Sequence, residues 1–238
     1  MALFITFEGG EGSGKNTQAS ALVERLRRDK WPVFYCEEPG TTLLGRMLRE
    51  WLRNRDRSLT LMPKEGTQLS LVEQSIDDQL LPDILLHGAA PRAELLAFVI
   101  ARAQLVEEFI LPHLRNRNII VGNRYADSTM AYQGYGRGLD LELVEMANQI
   151  ATKGVKPNLT ILLDLEPEKG LARKWGTDRA DHFQTQVLDF HRRVREGYLK
   201  LAAKEPERWL VVDATLPRRE IGEIIWRRVS QLLSSEGG

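Results

Sequence analysis

Short apolar runs alternate along the chain with longer segments in which apolar residues recur at helical spacing. Apolar runs of this kind are typical of strands covered on both faces, and their alternation with helices is typical of βαβ units. We predict five strands, at residues 3 to 8, 32 to 36, 118 to 122, 159 to 164 and 209 to 213. The predicted helices cover residues 14 to 29, 43 to 54, 93 to 115, 127 to 134, 140 to 152, 167 to 175, 181 to 204 and 218 to 233. The pattern predicts an α/β fold with a five-stranded parallel sheet and helices on both faces.

Residues 55 to 91 break this alternation. The segment is polar, contains Pro63, Pro82 and Pro91, and has one weakly amphipathic stretch at residues 69 to 81. We expect a single domain over residues 1 to 238, with this segment as an excursion from it. The excursion can cap a neighbouring site, join a dimer contact or merely decorate the surface.

The 33 Lys and Arg residues balance the 33 Asp and Glu residues, so no net field favours a nucleic acid or a membrane surface as the main partner. Cys36 is the single cysteine, which excludes an internal disulfide and favours a reducing compartment. The first residues lack a signal-peptide pattern, and no run of 18 apolar residues occurs. We expect a cytoplasmic protein.

A glycine-rich loop follows the first predicted strand and precedes the first predicted helix. Its residues, Gly9, Gly10, Glu11, Gly12, Ser13, Gly14 and Lys15, match the phosphate-binding pattern G-x-x-x-x-G-K. The glycines allow backbone N–H groups to point inward, and the helix N-terminus and the lysine add positive charge. A plain turn with an exposed lysine is the alternative, which the strand-to-helix position disfavours. We predict that this P-loop, with Asn16 and Thr17, binds ATP.

Asn16 stands where the P-loop pattern has Ser or Thr, whose hydroxyl binds Mg²⁺. An amide oxygen is a weaker ligand than a well-placed hydroxyl. We therefore expect either a reduced affinity for Mg²⁺ or an ion held mainly through water and phosphate oxygens.

Several further motifs lie at a distinctive spacing from the P-loop. They are VGNRYADSTMAYQGYGRG at 121 to 138, EEPGTTLLG at 37 to 45, ELLAFVIARAQLVEEFILPHL at 94 to 114, PNLTILLDLEP at 157 to 167 and DFHRRVREGYLKLA at 189 to 202. With EGGEGSGKNTQ at 8 to 18, they make the chain resemble the thymidylate kinases over nearly its whole length outside the excursion. The resemblance implies a P-loop nucleoside monophosphate kinase fold, transfer of the ATP γ-phosphoryl group to dTMP, and a homodimer packed through helices.

The resemblance also implies roles for individual residues. Arg49 and Arg124 match arginines that grip the acceptor phosphate, Phe98 matches an aromatic that stacks on thymine, and Arg102 matches an arginine that binds a thymine carbonyl. The full implied dTMP site is Glu38, Arg49, Phe98, Arg102, Arg124, Ser128, Thr129, Tyr132 and Gln133. Tyr132 is placed to disfavour a 2′-hydroxyl. Taken singly, such aromatics are more often core residues and such arginines more often solvated charges.

The chain departs from the family pattern at four places. Asn123 replaces the aspartate that precedes Arg124, so the implied metal side consists of Asn16, Thr17 and Asn123. Glu37 and Thr41 replace an arginine and a glycine, and the excursion is longer than the family usually has. The lid, at about residues 168 to 182, is short and has only Arg173, Lys174 and Arg179 as basic residues in its centre. We take Arg173 and Arg179 as candidates for neutralising the transferred group, because the P-loop carries no arginine.

The predicted catalytic residues are thus Lys15, Glu11, Arg124, Arg173 and Arg179. Two alternatives stay open. The acceptor can be another deoxynucleoside monophosphate, since Glu37 and the excursion border its site. The chain can also be a nucleotide-binding protein with little catalysis, because two metal-side positions carry amides.

Overall fold

The computed structural model describes residues 2 to 53, 89 to 175 and 185 to 235. All but the last three residues of the predicted excursion at 55 to 91 lie outside this set. Residues 176 to 182 of the predicted lid, and Arg179 with them, lie outside it as well.

The described residues form a five-stranded parallel sheet with the order β2-β3-β1-β4-β5. Its strands are β1 (Leu3–Glu8), β2 (Val33–Glu37), β3 (Ile119–Asn123), β4 (Leu159–Asp164) and β5 (Trp209–Asp213). All five predicted strands are confirmed, two of them shifted by one residue. The central strand is β1. Its pairing with β3 ends where Phe7 lies opposite Asn123, and its pairing with β4 ends where Glu8 lies opposite Leu162. The carboxyl ends of β1, β2 and β3 therefore share one edge.

Helices connect the strands. They are α1 (Lys15–Arg28), α2 (Leu43–Arg53), α3 (Pro91–Leu105), α4 (Leu111–Arg115), α5 (Ala126–Thr129), α6 (Leu141–Thr152), α7 (Pro167–Trp175), α8 (Thr185–Lys204) and α9 (Arg218–Ser235). Within the part of the chain described, no helix is both long and apolar enough to cross a membrane.

Two predicted helices contain π-helical turns. Val106–Ile110 joins α3 to α4, and Met130–Gly136 continues α5. A π-helical turn changes the backbone hydrogen bonding over only a few residues, which is too short a stretch for hydrophobic periodicity to reveal, so periodicity predicts the helix but not the turn. Such turns often occur at functional sites, and the second one contains Tyr132 and Gln133.

Side chains of β1 alternate between two buried faces. Leu3, Ile5 and Phe7 pack with the apolar faces of α1 and α9. Phe4 packs on the opposite face with the end of α3 and its π-helical turn. Both faces of the sheet are covered, as the continuous apolar runs predict.

The P-loop and α7 meet through two glycines. A Cβ on Gly170 of α7 would lie 2.2 Å from the carbonyl oxygen of Glu11, and a Cβ on Gly12 would lie 2.0 Å from the carbonyl oxygen of Gly170. Gly12 also has a φ of +66°, which disfavours other residues. The backbones thus touch directly, and α7 is fixed against the loop.

We expect Gly170→Ala to destabilise the protein by about 1–3 kcal/mol, because the added methyl group overpacks against a backbone carbonyl. Gly222→Ala in α9 is the matched control, since its Cβ would meet only Gln18 Oε1 at an ordinary 3.5 Å. That variant gains helix propensity and should be about 0.5–1 kcal/mol more stable. Urea unfolding of both variants checks the difference. Equal stability gains in the two would contradict the glycine contact.

Candidate active site

A single cleft of about 690 Å³ opens at the carboxyl edge of the sheet. It is lined by Glu11, Gly12, Ser13, Gly14, Lys15, Asn16, Thr17, Glu38, Arg49, Phe98, Arg102, Asn123, Arg124, Ser128, Thr129, Tyr132, Gln133 and Arg173, among others. These are all the predicted site residues within the described ranges except Gly9 and Gly10. Residues far apart in sequence are brought together because parallel strands end at one edge.

Lys15 begins α1 and folds back over the P-loop. Its Nζ donates to the carbonyl oxygens of Gly9 and Gly10, at 3.0 and 2.7 Å. Burial and Arg124 lower the pKa of Lys15, the carboxylates of Glu11 and Glu8 oppose the change, and the net pKa is about 7. The ammonium is thus held by backbone oxygens in a position where the oxygens of an anion can replace them.

Glu11 connects three elements. Its Oε1 accepts from Arg124 Nη2 at 3.2 Å and its Oε2 accepts from Lys174 Nζ at 2.7 Å. The Tyr132 hydroxyl also donates to Oε1, at 3.4 Å. Burial alone would raise the pKa of Glu11, but Arg124, Lys174 and Lys15 together lower it to about 2. The carboxylate therefore stays ionised and ties the P-loop to β3 and α7.

Arg124 follows β3 in a left-handed backbone conformation, with a φ of +69°. Its Nη1 donates to Ser128 Oγ at 3.2 Å and to the Tyr198 hydroxyl at 3.5 Å. The guanidinium carbon lies 4.9 Å from the centre of the Tyr132 ring. These contacts orient a cation toward the P-loop.

Arg102 is completely buried. Its Nε donates to Glu38 Oε2 at 3.0 Å, and its Nη2 donates to Glu38 Oε1. Nη1 donates to Asn148 at 2.5 Å, and Nη2 also donates to Thr129 at 2.7 Å. Paired guanidinium and carboxylate groups of this kind hold a fixed geometry. Arg102 therefore forms a rigid floor under the cleft beside half-buried Phe98.

Arg49 lies at the rim, with its Nη2 2.6 Å from Glu37 Oε1. Glu37 is one of the positions that depart from the family pattern, and in this chain its carboxylate forms an ion pair with Arg49. Gln133 donates to Glu94 at 2.6 Å, and Arg137 pairs with the same carboxylate at 3.2 Å. Two arginines that line the cleft, Arg49 and Arg137, thus each form an ion pair with a glutamate.

Asn16 and Asn123 touch each other. Asn123 Nδ2 donates to Asn16 Oδ1 at 2.8 Å and to the Tyr35 hydroxyl at 3.3 Å. Asn123 Oδ1 is buried and has no hydrogen-bond partner among the described residues. The two positions that looked like separate departures in the sequence form one amide pair facing the cleft.

The lid residues differ in where they point. Arg173 donates to the carbonyl oxygen of Ala214, after β5, at 3.0 Å. Lys174, which we did not select from the sequence, contacts the P-loop through Glu11. Gly170 and Lys174 are four residues apart and so share one face of α7. This spacing indicates that Lys174 faces the P-loop only if Gly170 is already known to contact that loop, which the sequence does not show.

Glu8 and Tyr198 are two further polar residues that sequence analysis missed. Both are buried, and both contact the loop that carries Arg124. A glutamate closing an apolar strand immediately before the P-loop was a signal for the first of them. Tyr198 carried no such signal, since a tyrosine on an amphipathic helix is ordinarily a core residue.

The thymidylate kinase family model matches residues 7 to 64 and 64 to 225. The thymidylate kinase of Synechococcus sp. (strain JA-2-3B'a(2-13)) is 41% identical over 233 residues, which cover 97% of this chain and 96% of the relative. The Deinococcus radiodurans thymidylate kinase is 40% identical over 231 residues, covering 97% and 98%.

Among solved structures, the crystal structure of thymidylate kinase from Ehrlichia chaffeensis superposes with a TM-score of 0.66 at 26% sequence identity. The match covers 95% of this chain and 98% of that one. Both the sequence and the fold therefore agree over almost the full length, and the chain belongs to the thymidylate kinase family.

Proposed function

We propose that this protein transfers the γ-phosphoryl group of ATP to dTMP, giving dTDP and ADP. The observation that carries the proposal is the single cleft in which a P-loop faces Phe98 and the guanidinium groups of Arg49, Arg102 and Arg124. A triphosphate site and a second, cationic and aromatic half in one cavity suit two nucleotides. Membership of the thymidylate kinase family supports dTMP as the acceptor.

The donor half uses the P-loop. Its backbone amides, the N-terminus of α1 and Lys15 together suit the phosphates of ATP. Lys15 Nζ donates hydrogen bonds to the carbonyl oxygens of Gly9 and Gly10. Phosphate oxygens can take over these positions, and their negative charge raises the pKa of Lys15 and keeps it protonated.

The acceptor half uses arginines that carboxylates already hold. Arg49 on Glu37 keeps N–H groups that can turn to phosphate oxygens, and Arg124 can exchange its contacts with Glu11 and Tyr132 for phosphate oxygens. The base would stack on Phe98. Arg102 Nη1 makes one hydrogen bond within the described residues, so its second N–H suits a pyrimidine carbonyl.

The reaction needs positioning more than proton transfer. An oxygen of dTMP attacks the γ-phosphorus of ATP, the bond from that phosphorus to the β,γ-bridging oxygen breaks, and ADP leaves. The attacking oxygen is already anionic near neutral pH, so no general base and no covalent intermediate are needed. Lys15 and Arg124 hold the two reactants in line and neutralise charge on the transferred group.

The lid would complete this neutralisation. Arg173 lines the cleft but donates to the carbonyl oxygen of Ala214, a contact it would exchange for the transferred group, whereas Lys174 lies against Glu11. Arg179 lies outside the described residues and stays a prediction.

Mg²⁺ fits the amide pair. Asn123 Oδ1 is a buried acceptor without a partner among the described residues, and it can accept from water bound to the ion. Asn16, Thr17 and Asn123 would hold the ion largely through water. When bound, Mg²⁺ supplies charge neutralisation on the ATP phosphates.

A coupled ADP-release assay with dTMP, dUMP, dGMP, dCMP and dAMP tests the proposal. We expect saturable turnover with dTMP and at least tenfold lower kcat/KM with the purine nucleotides. Phe98→Leu should raise KM for dTMP about tenfold, because base stacking on an aromatic contributes about 1–3 kcal/mol. Preference for another nucleotide would identify a different acceptor. Binding of ATP and dTMP without turnover would instead favour the non-catalytic alternative.

Replacing Asn123 by Asp should lower the half-saturating Mg²⁺ concentration several-fold, because a carboxylate attracts the hydrated ion more strongly than an amide. Asn16 is exposed and can turn its NH₂ group toward the new carboxylate. Titrating Mg²⁺ at fixed ATP and dTMP measures the change. Asn116→Asp adds the same charge at an exposed helix end and should leave the Mg²⁺ curve unmoved. An unchanged curve for Asn123→Asp would show that the amide pair is not on the metal side.

We further propose that two copies of the chain associate through α2, α3 and α6. These helices carry eight large apolar side chains that are exposed: Leu43, Met47, Trp51, Leu96, Ile100, Leu143, Met146 and Ile150. Their spacing along each helix puts them on one face, and α3 packs against both α2 and α6. An apolar area of this extent is typical of a protein interface, and a second copy is the partner that the family resemblance implies.

We expect the wild-type protein to sediment at twice the chain mass. The double variant Met47→Glu/Ile150→Glu should sediment as a monomer, because an isologous contact places each new charge in an apolar interface twice. Val211→Glu, at an exposed apolar position on β5, is the control and should stay dimeric. A monomeric wild-type protein would contradict the proposed interface.

A further inference from the structure

Glu8 ends the central strand one residue before the P-loop, and the proposed mechanism does not use it. Its side chain is completely buried. Oε1 accepts from the backbone N–H of Tyr125 at 2.8 Å. Oε2 accepts from Ser128 Oγ at 2.5 Å and from the Tyr198 hydroxyl at 2.8 Å.

Each of these three donors is directly connected to Arg124. Tyr125 is the next residue, and its N–H belongs to the peptide that follows the left-handed backbone of Arg124. A left-handed conformation is unfavourable for a residue with a side chain, so it persists where neighbours hold it. Two hydrogen bonds hold the backbone of Arg124 in this conformation. On one side Glu8 Oε1 accepts from the N–H of Tyr125, and on the other the carbonyl oxygen of Phe7 accepts from the N–H of Arg124 at 3.0 Å.

The two hydroxyl groups connect Glu8 to the guanidinium itself. Ser128 Oγ and the Tyr198 hydroxyl each have one proton, and each also accepts from Arg124 Nη1, at 3.2 and 3.5 Å. A hydroxyl can accept from Arg124 only while its own proton points elsewhere. The two hydroxyls also lie 2.9 Å from each other. An ionised carboxylate is the stronger acceptor, so both protons point to Glu8 Oε2 and the lone pairs of both oxygens face Arg124.

We propose that Glu8 is a positioning residue for the acceptor phosphate, acting through Ser128 and Tyr198 to aim Arg124. This inference rests on the proposed function, because it takes Arg124 as the residue that binds dTMP phosphate. A neutral acid or amide carries a donor on one of its two heteroatoms, so it cannot accept from the Tyr125 N–H and from both hydroxyls together. Either the Tyr125 N–H then loses its acceptor beside the backbone of Arg124, or a hydroxyl turns its proton toward Arg124, which itself has only donors.

The surroundings set the charge of Glu8. Burial and, to a smaller extent, Asp127 on α5 raise the pKa of Glu8, while Ser128, Arg124 and Tyr198 oppose the rise, and the net pKa is about 7. Lys15 on α1 is close enough for its pKa to be raised by the charge of Glu8. Glu8 is therefore mostly neutral at pH 5.5 and mostly ionised at pH 8.5.

The experiment compares Glu8→Gln with the wild-type protein between pH 5.5 and 8.5, measuring KM and kcat for dTMP and KM for ATP. Gln has the shape of the neutral acid. At pH 5.5 both proteins carry a neutral group, so their dTMP KM values should agree within about twofold. At pH 8.5 the variant should have a dTMP KM about tenfold higher, with the ATP KM little changed. Taking the ratio of the two proteins cancels the titration of dTMP itself.

Tyr198→Phe provides a second test, since it removes one of the two hydroxyls and leaves Glu8 in place. We expect a several-fold rise in the dTMP KM at pH 8.5 with the ATP KM unchanged. Glu142→Gln, at an exposed position on α6, is the control for losing a carboxylate and should match the wild-type protein at every pH.

A dTMP KM ratio that is flat across pH would overturn the inference. So would a parallel loss of dTMP and ATP affinity with a lower melting temperature, which is the signature of a merely structural residue. Both outcomes require that the wild-type protein turns over dTMP. Absence of that turnover would instead overturn the proposed function, so the two failures are distinguishable.

Discussion

Carboxylates at the ends of β1 and β2 organise the whole cleft. Glu8 ends β1, Glu37 ends β2, and Glu38 follows it, while Glu11 lies in the P-loop. Each of these carboxylates fixes an arginine on the acceptor side, either directly or, for Glu8, through hydroxyl groups. An arginine side chain has many rotamers, so a guanidinium is placed precisely only where hydrogen-bond acceptors immobilise it first. The parallel sheet brings these carboxylates together because its strands end at one edge.

The same arrangement has an energetic cost that function explains better than stability does. A buried ion pair such as Arg102 with Glu38 recovers little more than the cost of removing two charges from water. Its five hydrogen bonds leave Arg102 almost no freedom to move. A rigid floor keeps Phe98 and Thr129 at a fixed depth, so a base entering the cleft meets a shape that does not relax around it. Pre-organisation is the benefit that offsets the desolvation.

Sequence patterns predicted the sheet well, because strands buried on both faces read as continuous apolar runs and few alternatives fit them. The P-loop and the segment at residues 121 to 138 also lie at one edge, as parallel topology requires. The π-helical turn at Met130–Gly136 could not be predicted, since it alters hydrogen bonding but not hydrophobic period. Contacts across the fold were equally hidden. Nothing local to Glu8 indicates Tyr198, and nothing local to Lys174 indicates Glu11, because these pairs depend on how α8 and α7 pack.

The amide pair illustrates how a contact changes the interpretation of a sequence. Taken separately, Asn16 and Asn123 each lack a metal-side oxygen of the usual kind, and two independent losses would predict poor catalysis. In the structure, one amide donates to the other at 2.8 Å, and a single buried oxygen is left for the cleft. A carboxylate at position 123 would meet the Asn16 oxygen as a second acceptor unless that side chain turned over. The two residues therefore form one hydrogen-bonded unit, so we expect the effects of replacing them to be non-additive.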